Sequence, residues 1–209
     1  FKNTDLYNST EKKIMEFIIH RVNKIKDLKL LPTKFGAEID IRSNGSKIIL
    51  NHDPFKNGDE LKNYLENYKH KTLVLNLKEA GFESEIIKLV KKFQIKSYFL
   101  LDVEMPYMYK ATNSGQKNIA VRYSEYEPIS LVKNFKNKLK WIWIDTPTKL
   151  PINKENLKTL SYFKSCLVCP ERWKQKKKIF IYKKKLKDLN FLPNAIMTSE
   201  KCLKLWGYK

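Results

Sequence analysis

The segment Ala37-Glu-Ile-Asp-Ile-Arg42 alternates apolar and polar side chains along its whole length. Such alternation is typical of a β-strand, in which residues two apart point to the same face. Glu38 and Asp40 therefore share one face, and the alanine and isoleucines between them share the other. Because a buried carboxylate without a partner is costly, a strand that turns both acids inward must place them against a metal, a ligand or another polar group.

Similar polar side chains accompany the neighbouring apolar segments. Asn76 and Lys78 share one face of the segment Leu73-Val-Leu-Asn-Leu-Lys78. The pair His20-Arg21 follows another apolar run, and His52-Asp53-Pro54 follows a third, shorter apolar run. If these segments are neighbouring strands, two imidazoles, two carboxylates and two cations converge at one rim. Proton-transfer groups beside metal ligands and phosphate-binding cations are what a metal-assisted phosphodiester site requires.

The remaining chain predicts a barrel. Apolar runs occur at 14–19, 35–41, 72–77, 97–101, 118–123, 139–144, 165–169 and 194–198, and helical patterns occur between them, for example at 59–68, 83–93 and 152–160. Strict alternation of strand and helix predicts parallel β/α units, and eight units predict an α/β fold of the closed (β/α)₈ TIM-barrel type. At 209 residues the barrel must be compact, with short loops.

We expect one domain over residues 1–209, with residues 1–12 as a loose lead-in. The segment Ser46-Lys-Ile-Ile-Leu-Asn-His52 predicts a small extra strand that turns His52 back over the barrel mouth. Only about one helix fits between His52 and the next barrel strand, so no inserted cap domain is expected there and the mouth should be open.

The order of these motifs resembles the barrel phosphodiesterases, a superfamily that includes glycerophosphodiester phosphodiesterase, phosphatidylinositol-specific phospholipase C and sphingomyelinase D. Those enzymes have His-Arg or His-x-x-Asn after the first strand, Glu-x-Asp on the second, and then His-Asp or a lone His. An acidic residue follows two positions before a Lys on the third strand. Residues 16–80 resemble that pattern in order and spacing, whereas beyond residue 80 the resemblance rests on strand count.

The resemblance implies a role for each matching residue. His20 and His52 look like the general acid and base, and Arg21 and Lys78 look like phosphate ligands. Glu38 and Asp40 look like ligands of a divalent cation, and hard carboxylate oxygens suit Mg²⁺ or Ca²⁺. The third acid of the family is replaced by Asn76, whose amide oxygen can still bind a hard cation but without the negative charge.

Two further polar residues allow two interpretations each. Asn23 either matches the His-x-x-Asn of the sphingomyelinase D branch and assists the site, or caps a helix that begins near Lys24. Arg122 either binds a second anionic group of the substrate, or is a buried partner of Asp102 or Asp145. The third histidine, His70, lies between two lysines and is interpreted as a surface residue.

Two tryptophans share a strand face with Asp145. Trp141 and Trp143 either narrow the barrel cavity or pack beneath an outer helix. We expect outer packing for at least one of them.

The chain is strongly basic, with a formal net charge of +20 and a pI near 9.7. This field favours anionic substrates and leaves peripheral contact with a membrane or another anionic surface open. Only four of the 42 basic residues are arginines, and nucleic-acid sites tend to recruit arginine, so nucleic acid is not the expected partner. The strongest local basic run is Arg172-Trp-Lys-Gln-Lys-Lys-Lys178, which could also be a solvated loop. The oligomeric state is not predicted.

Cysteine use and hydropathy predict a cytoplasmic protein. Three cysteines, Cys166, Cys169 and Cys202, suggest a reducing compartment, and no apolar stretch has the length of a signal peptide or a spanning helix. Alternation places Cys166 and Cys169 on opposite faces of one strand, which argues against a redox pair.

The predicted function is metal-dependent cleavage of a glycerol, lipid or sugar phosphodiester by two histidines. Where a hydroxyl lies next to the scissile phosphate, that hydroxyl could attack first and give a cyclic phosphate. The alternative is a noncatalytic binder of phosphorylated glycan, lipid or nucleic acid on a degenerate barrel.

Overall fold

The computed structural model describes residues 15–208, so the predicted lead-in of residues 1–12 lies outside the described residues. Eight parallel strands form the barrel, and each predicted apolar run corresponds to one of them. They are β1 (Glu16–Ile19), β2 (Gly36–Asn44), β5 (Leu73–Leu77), β6 (Tyr98–Leu101), β7 (Ala120–Tyr123), β8 (Trp141–Ile144), β9 (Lys164–Val168) and β10 (Ala195–Thr198).

Short helices connect the strands, as the small size of the chain requires. The α-helices are α1 (Ile25–Leu30), α2 (Leu61–Glu66), α3 (Glu83–Lys92), α4 (Met105–Asn113), α5 (Ile129–Lys133), α6 (Leu157–Leu160), α7 (Lys178–Asp188) and α8 (Leu203–Trp206). Three 3₁₀ turns lie at Lys154–Asn156, Pro170–Trp173 and Glu200–Cys202. Several connections have little more than one helical turn, so the outer layer is thin. Between residues 15 and 208, no helix is long and apolar enough to cross a membrane.

The strands follow one another around the ring in parallel. Strand β1 pairs with β10 on one side and β2 on the other, β2 continues through β5 to β6, and β10 continues through β9 and β8 to β7. A single parallel bridge between Leu100 and Ile119 links β6 to β7, where the Leu100 N–H donates to the Asn118 carbonyl at 3.0 Å. The parallel order is that of the predicted (β/α)₈ TIM barrel.

A small hairpin extends β2 above the barrel mouth. Strand β3 (Lys47–Leu50) runs antiparallel to the end of β2, and β4 (Asp59–Glu60) pairs with β3. The extra strand was predicted, but β4 was not. The helix predicted from residue 59 begins instead at Leu61, because Asp59 and Glu60 pair with Leu50 and Ile49.

The barrel interior is filled by large aromatic side chains. Trp141 and Trp143 both point inward and are 3% exposed, and the Trp141 ring lies 4.6 Å from that of Phe99. The expectation that at least one tryptophan packs beneath an outer helix is therefore wrong. Small inward residues on two other strands, Ala120 beside Trp141 on the neighbouring β7 and Ala195 on β10, leave space for the two indoles. The opposite strand faces pack against the helices in a second apolar layer.

Candidate active site

The inward side chains become polar toward the carboxyl ends of the strands. Glu38, Asp40 and Asn76 are 1%, 1% and 7% exposed, and strand register places Asp40 directly beside Asn76. Carboxyl ends of barrel strands form the face on which active sites of this fold lie. The inward orientation predicted for the acids of Ala37–Arg42 is confirmed, since the intervening apolar side chains lie in the outer layer.

Glu38 is held by hydrogen bonds to both of its oxygens. Asn76 Nδ2 donates to Oε1 at 2.8 Å, and the Arg21 backbone N–H donates to Oε2 at 2.8 Å. His20 Nε2 lies 3.8 Å from the same Oε2. Burial and the charge of Asp40 raise the pKa of Glu38 to about 7, against the opposing effect of the two hydrogen bonds.

Asp40 is held by a reciprocal pair of hydrogen bonds with Asn23. Asn23 Nδ2 donates to Asp40 Oδ2 at 2.8 Å, and the Asp40 backbone N–H donates to Asn23 Oδ1 at 2.8 Å. The capping interpretation of Asn23 is wrong. Helix α1 has Lys24 at its N-cap without a side-chain bond, and its Ile25 N–H donates instead to Asp59 Oδ2 at 2.6 Å.

Lys78 supplies positive charge to this cluster. Its Nζ lies 3.2 Å from Asp40 Oδ1 and 3.9 Å from Asp102 Oδ2, and its side chain is only 19% exposed. Arg21 contributes a second cation, because its Nε lies 3.7 Å from Asp40 Oδ2 while the side chain remains 42% exposed. A partly exposed guanidinium at the rim can reach an anionic ligand from solvent.

The backbone is left-handed at two residues beside the acidic cluster. Arg21 has a φ of 56° and Asp102 a φ of 58°, the left-handed region that non-glycine residues rarely adopt. At Arg21 this conformation directs the backbone N–H to Glu38.

The oxygen atoms of the cluster fit a hard divalent cation. Asn76 Oδ1 is buried and accepts no hydrogen bond, and buried polar atoms without partners are rare in folded proteins. Asp40 Oδ1 is also buried, and its close contact is the ammonium of Lys78 at 3.2 Å. Carboxylate and amide oxygens are ligands that Mg²⁺ and Ca²⁺ accept. Within residues 15–208, however, no group of three or more His, Cys, Asp or Glu side chains is arranged to hold a metal. The cluster has two carboxylates, Glu38 and Asp40, because Asn76 contributes an amide in place of a third.

His20 is the more buried of the two candidate catalytic histidines. Its side chain is 13% exposed, and burial, reinforced by the nearby charges of Arg172 and Arg21, lowers its pKa to about 2. The imidazole is therefore neutral at physiological pH in this arrangement.

His52 lies on the loop after β3, at the edge of the same mouth. Its side chain is 42% exposed, its Nδ1 lies 2.9 Å from Asp53 Oδ1, and Arg42 Nε donates to its backbone carbonyl at 3.0 Å. His52 and Arg21 line one cavity of about 620 Å³. The structure thus brings His52 to the site that also contains His20.

His70 is separate from this site. Its Nε2 lies 2.8 Å from the Leu31 carbonyl oxygen, and its Nδ1 is buried without a partner. The interpretation of His70 as a plain surface residue is therefore wrong, because the ring is held between segments of the barrel wall.

Arg122 is paired with two acids at the far side of the mouth. Its Nε lies 2.6 Å from Asp102 Oδ1, and its Nη1 lies 2.7 Å from Asp145 Oδ2. Burial alone lowers the pKa of Arg122, but the hydrogen bonds and charges of the two acids outweigh it and raise the pKa. This arrangement matches the interpretation of Arg122 as a buried partner of acids, and both Asp102 and Asp145 are its partners rather than one of them. The role of Arg122 as a substrate ligand stays a prediction.

Trp173 is a mouth residue that the sequence reasoning missed. Its Nε1 donates to Asp145 Oδ1 at 2.8 Å, so that the loop after β9 is tied to the Arg122 pairs. Nothing in the sequence marks this tryptophan except its position directly after a barrel strand.

The fold and the site together define a (β/α)₈ barrel with acidic and basic side chains gathered at its mouth. No protein-family model matches the chain, and no curated protein matches it. Solved structures do. The glycerophosphodiester phosphodiesterase from Agrobacterium tumefaciens str. C58 is similar with a TM-score of 0.63 and 10% identity, over 88% of this chain and 96% of that one.

Two further structures give the same result. Another Agrobacterium tumefaciens protein, described as a glycerophosphoryl diester phosphodiesterase, is similar with a TM-score of 0.65 and 11% identity over 92% of this chain and 96% of that one. A glycerophosphoryl diester phosphodiesterase from Parabacteroides distasonis has a TM-score of 0.61 and 12% identity over 90% of this chain and 83% of that one. The chain therefore has the barrel fold of these structures, as the motif resemblance implied.

Proposed function

We propose that the protein is a phosphodiesterase that cleaves a glycerol, lipid or sugar phosphodiester at the barrel mouth. The observation that carries the proposal is the buried cluster of Glu38, Asp40 and Asn76, with His20 and Lys78 in contact with it. The similarity of the whole chain to glycerophosphodiester phosphodiesterase structures supports the same class of reaction.

His20 and His52 are the proposed acid and base. One imidazole removes a proton from the attacking oxygen, which belongs to water or to a neighbouring hydroxyl of the substrate, and the other donates a proton to the leaving oxygen. If the hydroxyl attacks, the first product is a cyclic phosphate. The exposed His52 can exchange protons with solvent.

Arg21 and Lys78 are the proposed ligands of the phosphate oxygens. Both carry positive charge to the rim of the acidic cluster, where it can stabilise the negative charge of the transition state. Arg122 has two acids as partners, so we assign it to the support of the mouth.

Mg²⁺ or Ca²⁺ is the proposed cofactor, held by Glu38, Asp40 and the amide oxygen of Asn76. When bound, the ion supplies positive charge to the phosphate oxygens and orients the substrate. The buried Asn76 oxygen, which accepts no hydrogen bond, supports this assignment. Asn23 keeps the Asp40 carboxylate in place through its reciprocal hydrogen bonds.

A noncatalytic binder of phosphorylated ligands is the second candidate function. It is favoured by Asn76, because the loss of one carboxylate weakens the attraction for a divalent cation. Such a binder would keep Arg21 and Lys78 for affinity and would not need the two histidines for turnover.

Product release from a panel of phosphodiesters tests the proposal. The panel contains bis(p-nitrophenyl) phosphate, glycerophosphocholine and lysophospholipids, and each assay is run with and without EDTA. We expect His20→Ala to lower the rate by about 10²- to 10⁴-fold, the range for loss of a general acid or base. His70→Gln is the matched control, because it changes a histidine outside the site and should leave the rate near that of the wild type.

The outcomes separate the two candidate functions. Turnover that is lost with His20→Ala and with EDTA supports a metal-assisted phosphodiesterase. Binding of a phosphodiester without turnover, unchanged by His20→Ala, would favour the noncatalytic binder.

A further inference from the structure

A basic and aromatic segment borders the barrel mouth on one side. It extends from Arg172 to Ile181 and contains five basic residues within the seven positions 172–178, with no acid among them. We call it the basic-aromatic segment. It is the strongest local basic run of the chain, and the proposed reaction gives a role to none of its lysines.

The apolar side chains of this segment are exposed. Trp173 is 45% exposed, and Phe180 and Ile181 at the start of α7 are 60% and 63% exposed. Lys174, Lys176 and Lys177 are also exposed. Large apolar side chains that remain exposed beside several lysines are typical of a surface that contacts a partner.

The segment is fixed to the mouth by hydrogen bonds. Trp173 donates to Asp145, and Lys178 Nζ donates to the Thr148 carbonyl on the loop after β8. Because helices of this barrel begin at the carboxyl ends of the strands, the exposed start of α7 lies at the same end of the molecule as the site. A groove of about 600 Å³ lies along this end of the helix, lined by residues 174–178, Phe180 and Leu205.

A second loop at the same end has a similar character. Phe55 is fully exposed, with a relative exposure of 103%, and is followed by the exposed Lys56. This loop joins β3 to β4 and also contains His52. Exposed aromatic rings and lysines therefore lie on two separate loops around the mouth.

We propose that the mouth face docks onto an anionic phospholipid bilayer through the basic-aromatic segment, with the Phe55 loop as a second contact. Lysines beside exposed Trp, Phe and Ile side chains match an interface in which anionic head groups lie above apolar chains. Nucleic acid is the less favoured partner, because base and phosphate recognition relies on the forked guanidinium of arginine and this segment has a single arginine.

Docking in this orientation places the site against the bilayer. Arg172 lies close enough to His20 for its charge to lower the pKa of that histidine, so the segment and the site are neighbours. The docking proposal does not depend on the proposed activity, since it concerns exposed side chains that do not touch the acidic cluster.

Vesicle sedimentation with the whole chain tests the proposal. The vesicles contain phosphatidylcholine alone, or phosphatidylcholine with phosphatidylserine. We expect binding to the anionic vesicles only. The triple variant Lys174→Glu, Lys176→Glu, Lys177→Glu should bind at least about 100-fold more weakly, because each basic residue near an anionic surface strengthens binding by about fivefold and the introduced carboxylates are repelled.

Two other variants make the test specific to this face. The matched control is Lys96→Glu, Lys117→Glu, Lys138→Glu, which changes the net charge by the same amount on exposed loops at the opposite end of the barrel. It should keep most of the binding. Phe180→Ser with Ile181→Ser should also weaken binding, at unchanged net charge, and the far-UV spectrum confirms that each variant is folded.

Three results would overturn the proposal. The first is an absence of binding to anionic vesicles, and the second is an equal loss of binding in the two triple variants. The third is displacement of the protein from vesicles, through the same lysines, by single-stranded DNA at a far lower concentration than that of the anionic lipid. The last result would identify nucleic acid as the partner of this face.

Discussion

In the proposed cation site, Asn76 supplies an amide oxygen without a negative charge. We predict that Asn76→Asp lowers stability without divalent ions by about 1–3 kcal/mol, because Glu38 loses a donated hydrogen bond and gains a like charge beside it. Excess Mg²⁺ or Ca²⁺ should reverse the loss and raise the melting temperature above that of the wild type, since a ligand that binds only the folded state stabilises it. Thermal unfolding in EDTA and in each metal measures both effects.

Asn67 offers a matched control for this substitution. Its side chain donates to the Asn63 carbonyl at 2.8 Å on an exposed surface, away from the acidic cluster. Asn67→Asp should show no response to divalent ions beyond that of the wild type. If Asn76→Asp responds to metal no more than Asn67→Asp does, the assignment of the cluster as a cation site is contradicted.

The three cysteines are free and buried within the described residues. Burial raises the pKa of Cys166 well above its ordinary value of 9.0 and, with the nearby Glu171 carboxylate, raises the pKa of Cys169 to about 12. A raised thiol pKa in the folded state stabilises the fold below pH 9 and loses that contribution as the pH rises toward 12.

We therefore predict that iodoacetamide alkylates the native protein at pH 8 at least about 100-fold more slowly than the denatured protein, because the thiols are protonated and enclosed. Mass spectrometry counts the modified cysteines over time, and the same reaction in guanidinium, where all three should react, is the control. Rapid modification of Cys166 in the native protein would contradict the interior position of its side chain.

The sequence predicts the positions of some side chains and not of others. Glu38 and Asp40 were predictable, because alternation fixes the face of a strand and unpaired acids must find partners. The two tryptophans of β8 were not, because the outward face of that strand is equally apolar and only the small inward residues of other strands show which side has room. Trp173 could not be predicted, since its contact depends on the path of a loop.

The strands β6, β7 and β8 are joined at the mouth by the ion pairs of Arg122. We predict that Arg122→Met lowers the free energy of unfolding by about 2–3 kcal/mol, because it leaves Asp102 and the nearly buried Asp145 without their cation. Urea denaturation measures the change. The expected loss of stability is smaller than for a fully buried ion pair, because the Arg122 side chain is 33% exposed.

A solvent-exposed pair provides the comparison. Lys47 Nζ lies 3.4 Å from Glu60 Oε2 on the β3–β4 hairpin, with the lysine side chain 66% exposed. Lys47→Met should change stability by less than about 1 kcal/mol. Equal effects of the two substitutions would contradict a structural role for Arg122 and return it to the set of candidate substrate ligands.

The barrel strands were predictable because each is a short apolar run between helical patterns, and a parallel strand buried on both faces needs such a run. Strand β4 was missed, because two polar residues carry no periodic pattern and their pairing is set by the neighbouring β3. The pairing of Asp59 and Glu60 with β3 also places the start of α2 at Leu61 rather than at residue 59. Backbone pairing between two short segments does not change the hydropathy pattern of the sequence, so that pattern does not predict it.

The barrel has one interior, and its closure links the two ends of the described chain. Strand β1 pairs with β10 over four residues on one side and with β2 on the other, so neither end can separate without opening the ring. We predict a single unfolding transition that is the same by tryptophan fluorescence, to which the enclosed Trp141 and Trp143 contribute together with Trp173 and Trp206, and by far-UV circular dichroism. Fluorescence change at a lower denaturant concentration than loss of helix would contradict one cooperative unit.

The whole fold shares little sequence with the structures that it resembles, at 10–12% identity. The barrel tolerates this divergence because apolar periodicity, rather than particular residues, specifies its strands and helices. The mouth residues are specific in type and spacing, which is why they supported a functional hypothesis from one sequence. The substrate stays a proposal, since it depends on loops whose residues follow no such pattern.

A time course by ³¹P nuclear magnetic resonance tests the central claim most directly. Wild type, His20→Ala and His70→Gln are each incubated with glycerophosphocholine, lysophospholipids and an inositol phosphodiester in the presence of Mg²⁺ or Ca²⁺. The account predicts that the diester signal of at least one substrate converts to a monoester or a cyclic phosphate with wild type and His70→Gln, and at least about 100-fold more slowly with His20→Ala. Conversion at equal rates in all three proteins would contradict the assignment of the mouth cluster as the active site.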